Sequence, residues 1–328
     1  MTDTVLVTGG SGFIAGHTIK ALLEGGYAVR ASVRSRDKGT VLRDQFPEVE
    51  TVLADLGADE GWDAAARGCS FVLHMASPFP ADVPRTREEL VRPAVDGTRR
   101  VLAAAGKAGA RRVVVTSSVA AVAYGQGGRE TPFDESDWTD PDDARVGPYP
   151  ASKTLAEKAA WAAASEHGVS LAVVNPVLVT GPLLNGSHGA SVGLVRRMMT
   201  GGFPALPRAG FGVVDVRDVA SAHVAAMERD EAEGERFIVS ERWMWLREVA
   251  EVLQERFPDA KVSTRQAPDL LIKIAALFDR QARQVSGDLG TKRAVDGSKA
   301  QRVLGIDYLP APRSIIATAE SLRTHDLV

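Results

Sequence analysis

Short runs of apolar, often β-branched residues recur along the first half of the chain, at Val5–Thr8, Ala28–Val33, Thr51–Ala54, Phe71–Met75, Arg112–Thr116 and Leu171–Val174. Their apolar character is nearly continuous, as in strands covered by helices on both faces of a parallel sheet. Longer stretches with helical spacing lie between them. Phe13–Glu24, Arg87–Lys107 and Ala151–Glu166 fit helices, the last stopping at Gly168. This rhythm predicts an α/β architecture, a doubly wound parallel sheet with crossover helices. After about Val177 the pattern changes to loops rich in Gly and Pro (Gly181-Pro182, Gly186 to Gly189, Gly201 to Pro207) and short helices, where a smaller mixed α/β unit begins. Strand-like segments at Val213–Val214 and Arg236–Val239 are placed to return the chain to the main sheet, so the two units interleave.

The chain has 328 residues, room for about two domains at roughly 150 residues each. At 45% hydrophobic and 25% charged residues it is ordinary for a globular protein, which argues against disorder or a fibrous repeat. A formal net charge of −3 gives no electrostatic reason to expect nucleic acid or an anionic membrane as partner. The single cysteine, Cys69, is read as a small hydrophobe, and the six histidines never fall in a metal-binding H-x-x-x-H spacing, so no metal is expected. Met1-Thr2-Asp3-Thr4 runs straight into Val5-Leu6-Val7 with no export signal, and apolar stretches such as Leu171 to Leu184 are broken by Asn175, Pro176 and Gly181. The expectation is a cytoplasmic protein acting on a small molecule.

Val5-Leu6-Val7-Thr8-Gly9-Gly10-Ser11-Gly12-Phe13-Ile14-Ala15 reads as strand, glycine turn and helix start. Such a turn lets the backbone approach a pyrophosphate closely, and the helix N-terminus offers it unpaired N–H groups. The residues fit both Gly10-x-Gly12-x-x-Ala15 and Gly9-x-x-Gly12-x-x-Ala15, and spacing alone does not choose. Together these features make the fold Rossmann-type. Residues 1–177 plus about 211–240 are assigned to a dinucleotide-binding domain, and about 178–210 plus 241–328 to a substrate domain. An acid at the end of the second strand would bind the ribose 2′-hydroxyl of NAD, but Ala31-Ser32-Val33-Arg34 has none. Arg34, with Arg36 and Lys38 behind it, supplies cations for a 2′-phosphate, so NADP(H) is the expected cofactor.

Tyr149-Pro150-Ala151-Ser152-Lys153 puts a phenol and an ammonium four residues apart at a helix start, with Pro150 suited to the first helical position and Tyr149 at the cap. A nearby ammonium favours a phenolate and so makes a phenol a usable proton donor and acceptor. Val113-Val114-Val115-Thr116-Ser117-Ser118 is a buried strand ending in hydroxyls, at the edge where such sheets bind ligands. Ser118 is placed there to hydrogen-bond a substrate carbonyl.

At these residues the chain resembles the extended short-chain dehydrogenase/reductase family, which selects Gly9-x-x-Gly12-x-x-Ala15 as the glycine template. Tyr149 through Trp161 and Asn175-Pro176-Val177-Leu178-Val179-Thr180-Gly181-Pro182 are similar to its dihydroflavonol-reductase-like branch of carbonyl and aldehyde reductases. Arg92 through Thr98, Val214 through Ala220 and Asp296 through Ala300 are similar to it as well. The resemblance covers essentially the whole chain. It implies a catalytic set of Ser118, Tyr149 and Lys153, with Tyr149 the general acid in reduction, Lys153 holding the nicotinamide ribose and Ser118 polarising the carbonyl. It also implies cofactor contacts at Gly9, Gly12, Phe13 and Ile14, at Arg34 and Lys38, at Asp55 and Leu56 on adenine, at Ala76, Ser77 and Thr116, at Pro176 and Val179 beside the nicotinamide, and at Ser191. Plant dihydroflavonol reductases carry a polar substrate-contacting residue five positions after the catalytic serine. Here Ala123 stands there, and a buried substrate hydroxyl without its partner loses about 1–3 kcal/mol. Cinnamoyl-CoA is disfavoured too, because the segment Asn-Trp-Tyr-Cys-Tyr-Gly-Lys is absent.

The resulting expectation is an NADPH-dependent carbonyl reductase. A nucleotide-sugar epimerase or dehydratase retaining NAD, and a non-catalytic dinucleotide sensor, are the competing readings. Phe79, Trp138, Leu178 and residues around Leu183 to Phe211 are grouped as an apolar pocket. His74 is read as a packed histidine with a backbone hydrogen bond, Asp215, Arg217 and Asp218 as an ion-pair turn, and Trp243 and Trp245 as packing. The helices Arg87–Lys107 and Ala151–Glu166 offer either a dimer face or free surface, leaving monomer and homodimer open.

Overall fold

The computed structural model describes residues 2–77, 86–186, 189–275, 277, 286–287 and 289–328. The chain forms β1 (Thr4–Thr8), α1 (Phe13–Glu24), β2 (Ala28–Val33), α2 (Arg36–Gln45), β3 (Glu50–Leu53), α3 (Trp62–Ala66), β4 (Phe71–His74), α4 (Glu88–Lys107), β5 (Arg112–Thr116), α5 (Pro148–His167) and β6 (Ser170–Pro176). It continues through β7 (Leu178–Thr180), α6 (Ala190–Met199), β8 (Gly210–Asp215), α7 (Val216–Glu228), β9 (Arg236–Val239), β10 (Arg242–Trp245), α8 (Leu246–Arg256) and α9 (Asp269–Ala275). Two further helices, Ser298–Leu304 and Ala311–Thr324, follow.

Seven parallel strands make the main sheet in the order β3-β2-β1-β4-β5-β6-β9, with Val5 opposite both Val29 and Phe71, and Val115 opposite Val173. The strand order reverses beside β1, which opens a crevice at the carboxyl ends of the strands. The near-continuous apolar strands divide their side chains between two cores. Val5 and Val7 of β1, Val114 of β5 and Val174 of β6 pack on the side of Ile19 and Leu22 in α1 and Val219 and Ala222 in α7. Leu6, Val113, Val115 and Val173 pack on the opposite side, against Val101 and Leu102 of α4 and Ala160 and Ala163 of α5. A residue period of two with apolar groups at both phases therefore fills both faces.

Outside this sheet, β10, β8 and β7 form a second sheet, with β8 parallel to β7 and antiparallel to β10. Its core joins Val192, Val195 and Met198 of α6 to Leu253 of α8 and Ile315 of the last helix. The segment expected to return to the main sheet is thus divided. Arg236–Val239 does so beside β6, whereas Val213 and Val214 pair with Leu178 and Val179 in the second sheet.

The start of α5 also differs from expectation. The helix begins at Pro148 with Gly147 as its cap, so Tyr149 lies inside the first turn and Pro150 at the third helical position. The first helical hydrogen bond is Ala151 N–H to the Gly147 carbonyl, 3.2 Å, so neither proline removes a bond the helix would have made. At the other end Gly168 adopts φ 62° and stops the helix as predicted.

Candidate active site

Because the main strands are all parallel, the loops leaving their carboxyl ends share one edge. Gly9–Gly12 follows β1, Arg34 follows β2, Asp55 and Leu56 follow β3, Ala76 and Ser77 follow β4, Ser117 and Ser118 follow β5, and Pro176 closes β6. Gly9 has φ +68°, and a Cβ there would sit 2.9 Å from the Ala76 Cα, so both backbone conformation and close approach demand glycine. Gly12 caps α1 without any side-chain hydrogen bond. The first helical bond is Gly16 N–H to the Gly12 carbonyl, 2.9 Å, which leaves the amides of Phe13, Ile14 and Ala15 without helical acceptors. An open, uncapped helix start behind a tight glycine turn fits a dinucleotide pyrophosphate.

Arg34, Arg36 and Lys38 are exposed beyond β2, with Ser35 capping α2 through the Lys38 N–H. Asp55 uses one carboxylate oxygen on the Gly57 N–H at 2.7 Å, and Leu56 packs on Gly97 of α4. Val179 and Ser191 lie on β7 and α6, outside the main sheet.

At the bottom of the crevice a small recess is lined by His74, Ala76, Ser77, Thr98, Thr116, Ser117, Lys153 and Glu157, with Ala94, Val115 and Ala156. Ala76, Ser77, Thr116 and Lys153 are thus brought together as expected, and Lys153 Nζ donates to Ser77 Oγ at 3.1 Å. Tyr149, one helical turn before Lys153, is 40% exposed. Ser118 is buried, and its Oγ accepts the Ala120 N–H at 3.1 Å, which leaves its own proton to donate.

His74, Thr98, Ser117 and Glu157 were not anticipated as walls of this recess. His74 does not bond a backbone group. Thr8 Oγ1 accepts the N–H groups of Met75 and Ala76, at 3.1 and 2.9 Å, so its hydroxyl proton points to His74 Nδ1, 2.9 Å away. His74 Nε2 then carries the ring proton toward Thr98 Oγ1, 3.4 Å away. Complete burial, with the charge of Lys153 nearby, pushes the His74 pKa down to about 3. Behind Thr116 the arrangement recurs. His223 Nδ1 donates to the Val219 carbonyl at 2.7 Å, its Nε2 accepts from Thr116 Oγ1 at 2.7 Å, and burial lowers its pKa to about 4.

Glu157 is buried on the face of α5 that carries Lys153. Its carboxylate accepts from Ser117 Oγ at 2.5 Å, Asn175 Nδ2 at 2.8 Å and Arg236 Nε at 2.5 Å. The spacing Lys153 to Glu157, four residues on one helix, was the available sequence signal. Trp138 is absent from the recess and lies under the Arg236 guanidinium, 3.7 Å from its carbon to the ring centroid. Leu183, Leu206 and their neighbours fill the core of the second sheet, and Phe79 lies outside the described residues. Ala123 is buried against Phe133 and Ile238. It faces a small core, so it says nothing about a substrate hydroxyl.

Of the expected ion-pair turn, Asp215 and Arg217 do pair, whereas Asp218 accepts the Leu309 N–H at 2.9 Å instead. Asp215 caps α7, and although burial opposes its charge, hydrogen bonds from Arg217 and Ser314 hold its pKa below the usual value. Trp243 and Trp245 pack edge to face, with ring centroids 5.8 Å apart. Among the described residues no helix is long and apolar enough to cross a membrane, and no cluster of three or more His, Cys, Asp or Glu is placed to hold a metal.

Residues 5–240 match the NAD dependent epimerase/dehydratase family. The chain is 42% identical over 272 residues to cinnamoyl-CoA reductase 1 of Petunia hybrida, an alignment spanning 80% of each chain. Cinnamoyl-CoA reductase CAD2 of Medicago truncatula is 35% identical, covering 98% of this chain and 96% of its own. Among solved structures, yeast methylglyoxal/isovaleraldehyde reductase Gre2 complexed with NADPH superposes with a TM-score of 0.84 at 29% identity, over 99% of this chain and 100% of that one.

Proposed function

This chain belongs to the NAD dependent epimerase/dehydratase family, within the extended short-chain dehydrogenases/reductases, and from that membership we propose that it is an NADPH-dependent reductase of small or medium-sized aldehydes and ketones. The observation that carries the reading is the recess itself, where Lys153 reaches the cofactor-wall residue Ser77 one turn behind Tyr149, at the same edge as the glycine turn. NADP(H) is the cofactor of this oxidoreductase, and when bound it supplies the hydride that reaches the carbonyl carbon.

The protein's own residues do the rest. The α1 amides and the glycine turn bind the pyrophosphate, and Arg34 with Lys38 meets the 2′-phosphate. Ser118 directs its free hydroxyl proton to the substrate oxygen, Tyr149 gives that oxygen the proton that completes the alcohol, and the Lys153 ammonium favours the phenolate left behind. Electrostatic stabilisation by fixed donors is the main catalytic contribution of such a site. At the end of β2 Arg34 stands where an NAD-retaining epimerase would carry an acid, and the nearest carboxylate, Asp37, lies beyond it in the first turn of α2, which disfavours that reading. The names of the plant relatives make cinnamoyl-CoA the second substrate class to test, although Gly147 through Lys153 lacks the segment associated with it.

The test is NADPH oxidation over a panel of aldehydes, diketones, β-ketoesters and cinnamoyl-CoA, with Tyr149→Phe alongside. The expected result is consumption of one NADPH per carbonyl reduced, and at least a 100-fold loss of turnover in Tyr149→Phe with NADPH binding preserved. Full turnover in Tyr149→Phe, or product without net NADPH oxidation, overturns the reading.

A further inference from the structure

We infer that Glu157 is a positioning residue for this reaction, the buried anchor that holds the strand end bearing Ser118 in register with the helix bearing Tyr149 and Lys153; the inference rests on the function proposed above. Glu157 is 1% exposed and lies one turn beyond Lys153 and two beyond Tyr149 on α5. Its Oε2 receives two donors from the catalytic edge of the sheet, Ser117 Oγ at 2.5 Å and Asn175 Nδ2 at 2.8 Å. Ser117 directly precedes Ser118, and Asn175 Nδ2 also donates to the Ser118 carbonyl at 3.2 Å. The Asn175 amide cannot be turned over without setting its oxygen against the carboxylate, so Glu157 fixes its orientation too.

The remaining oxygen, Oε1, is taken by Arg236 Nε at 2.5 Å from β9. Arg236 is itself held by Nη1 bonds to the carbonyls of Glu135 and Asp137, at 2.7 and 2.9 Å, and by the Trp138 ring. One carboxylate therefore ties α5, the ends of β5 and β6, and β9 at a single point. Both oxygens of this carboxylate are engaged, by three donors from three different segments, and bonds to an ionised acceptor are the stronger kind, so the anchor restrains those segments relative to one another. Small displacements of reacting groups cost turnover steeply, on the order of 100-fold for about 1 Å.

The experiment uses Ser117→Ala, which keeps the Glu157–Arg236 ion pair and cuts one tether, together with Glu157→Gln. Steady-state kinetics, NADPH titration and amide hydrogen exchange of the cofactor-free protein are measured on each. Ser117→Ala is expected to lower kcat at least 10-fold with the NADPH Kd within twofold, and to speed exchange at residues 118–123 at least 10-fold while α1 exchanges as in the wild type. Glu157→Gln is expected to give the larger loss. If Glu157→Gln does not fold, Ser117→Ala carries the decision. A merely supporting role would lower the melting temperature but leave kcat of the folded enzyme and exchange at 118–123 unchanged, and that result overturns the inference. Should the wild type reduce no carbonyl, the functional reading fails separately, and exchange in Ser117→Ala still decides whether the tether exists.

Discussion

Replacing Thr8 by valine removes one hydroxyl and keeps the shape of the side chain, at a position completely buried at the end of β1. That hydroxyl serves three partners: it accepts the N–H groups of Met75 and Ala76 and donates to His74 Nδ1. In the variant two backbone donors and one imidazole nitrogen lose their partner. A buried polar group left unpaired costs about 1–3 kcal/mol. Met75 and Ala76 are only half-buried, so water recovers part of their share, and the total comes to roughly 2–4 kcal/mol. Thr18→Val is the control. Thr18 is equally buried, but its hydroxyl donates only to the Ile14 carbonyl of its own helix at 3.0 Å, so the expected loss is under about 1 kcal/mol. The same threonine holds the segment against which Gly9 packs, so Thr8→Val should also weaken NADPH binding about 10-fold, or ~1.4 kcal/mol. Urea denaturation followed by circular dichroism and fluorescence titration with NADPH measure the two effects. A Thr8→Val variant no less stable than Thr18→Val, with NADPH affinity intact, would refute both the hydrogen-bond assignment and the link from β1 to the cofactor wall.

Arg34→Glu should raise the NADPH Kd about 10-fold or more, the worth of one charge-assisted contact at an exposed site beside Arg36 and Lys38, while leaving NADH binding within about threefold; equal wild-type affinity for the two cofactors would remove the assigned role. Stability should fall as pH drops from 6.5 to about 4. His74 and His223, with folded values of about 3 and 4, stay neutral in the native protein while the unfolded chain takes up both protons below 6.5. Asp218 acts in the opposite sense, because burial raises its folded value to about 7 from 3.8, so the native state binds that proton first. These three groups together leave about one extra proton on the unfolded chain, or roughly 1.4 kcal/mol lost per pH unit from them. His74→Asn should flatten the profile, and wild-type stability that rises from pH 6.5 to 4.5 would contradict the burial of neutral histidines.

The sheet was legible because each main strand carries apolar residues at both phases, which only a two-sided covering explains. The glycine turn was legible because φ and close approach restrict the residue type locally. Val213–Val214 misled because two valines carry no information about which neighbour they pair with, and their partners Leu178 and Val179 lie more than thirty residues upstream. The start of α5 misled for another reason. The preference of a residue before proline for extended backbone was applied to Tyr149, but in the first turn a proline sacrifices no hydrogen bond, and Pro148 already sets the helix going. Trp138 was grouped with a pocket by proximity in the loops, and its contact with Arg236, 98 positions later in the chain, was beyond what such proximity could supply.

What lay out of reach is the polar layer beneath the reacting groups, since each of its members is explained only by a distant partner: Thr8 with His74, Thr116 with His223, and Ser117 with Glu157 and, through it, Arg236. The layer also sorts charge. Two histidines that would add cations are kept neutral by burial, and the negative charge of Glu157 is met by Arg236, which does not line the recess. Of the charged groups lining the recess among the described residues, Lys153 is then the one whose charge no ion pair answers. Under the proposed function, a cation so placed, one turn from Tyr149, is the group that would answer negative charge developing at the reacting oxygens. Protonating His74 would put a second cation beside the first and push Lys153 away from Ser77. The burial that costs the protein stability in acid is thus the same feature that keeps a single positive charge at the foot of the crevice.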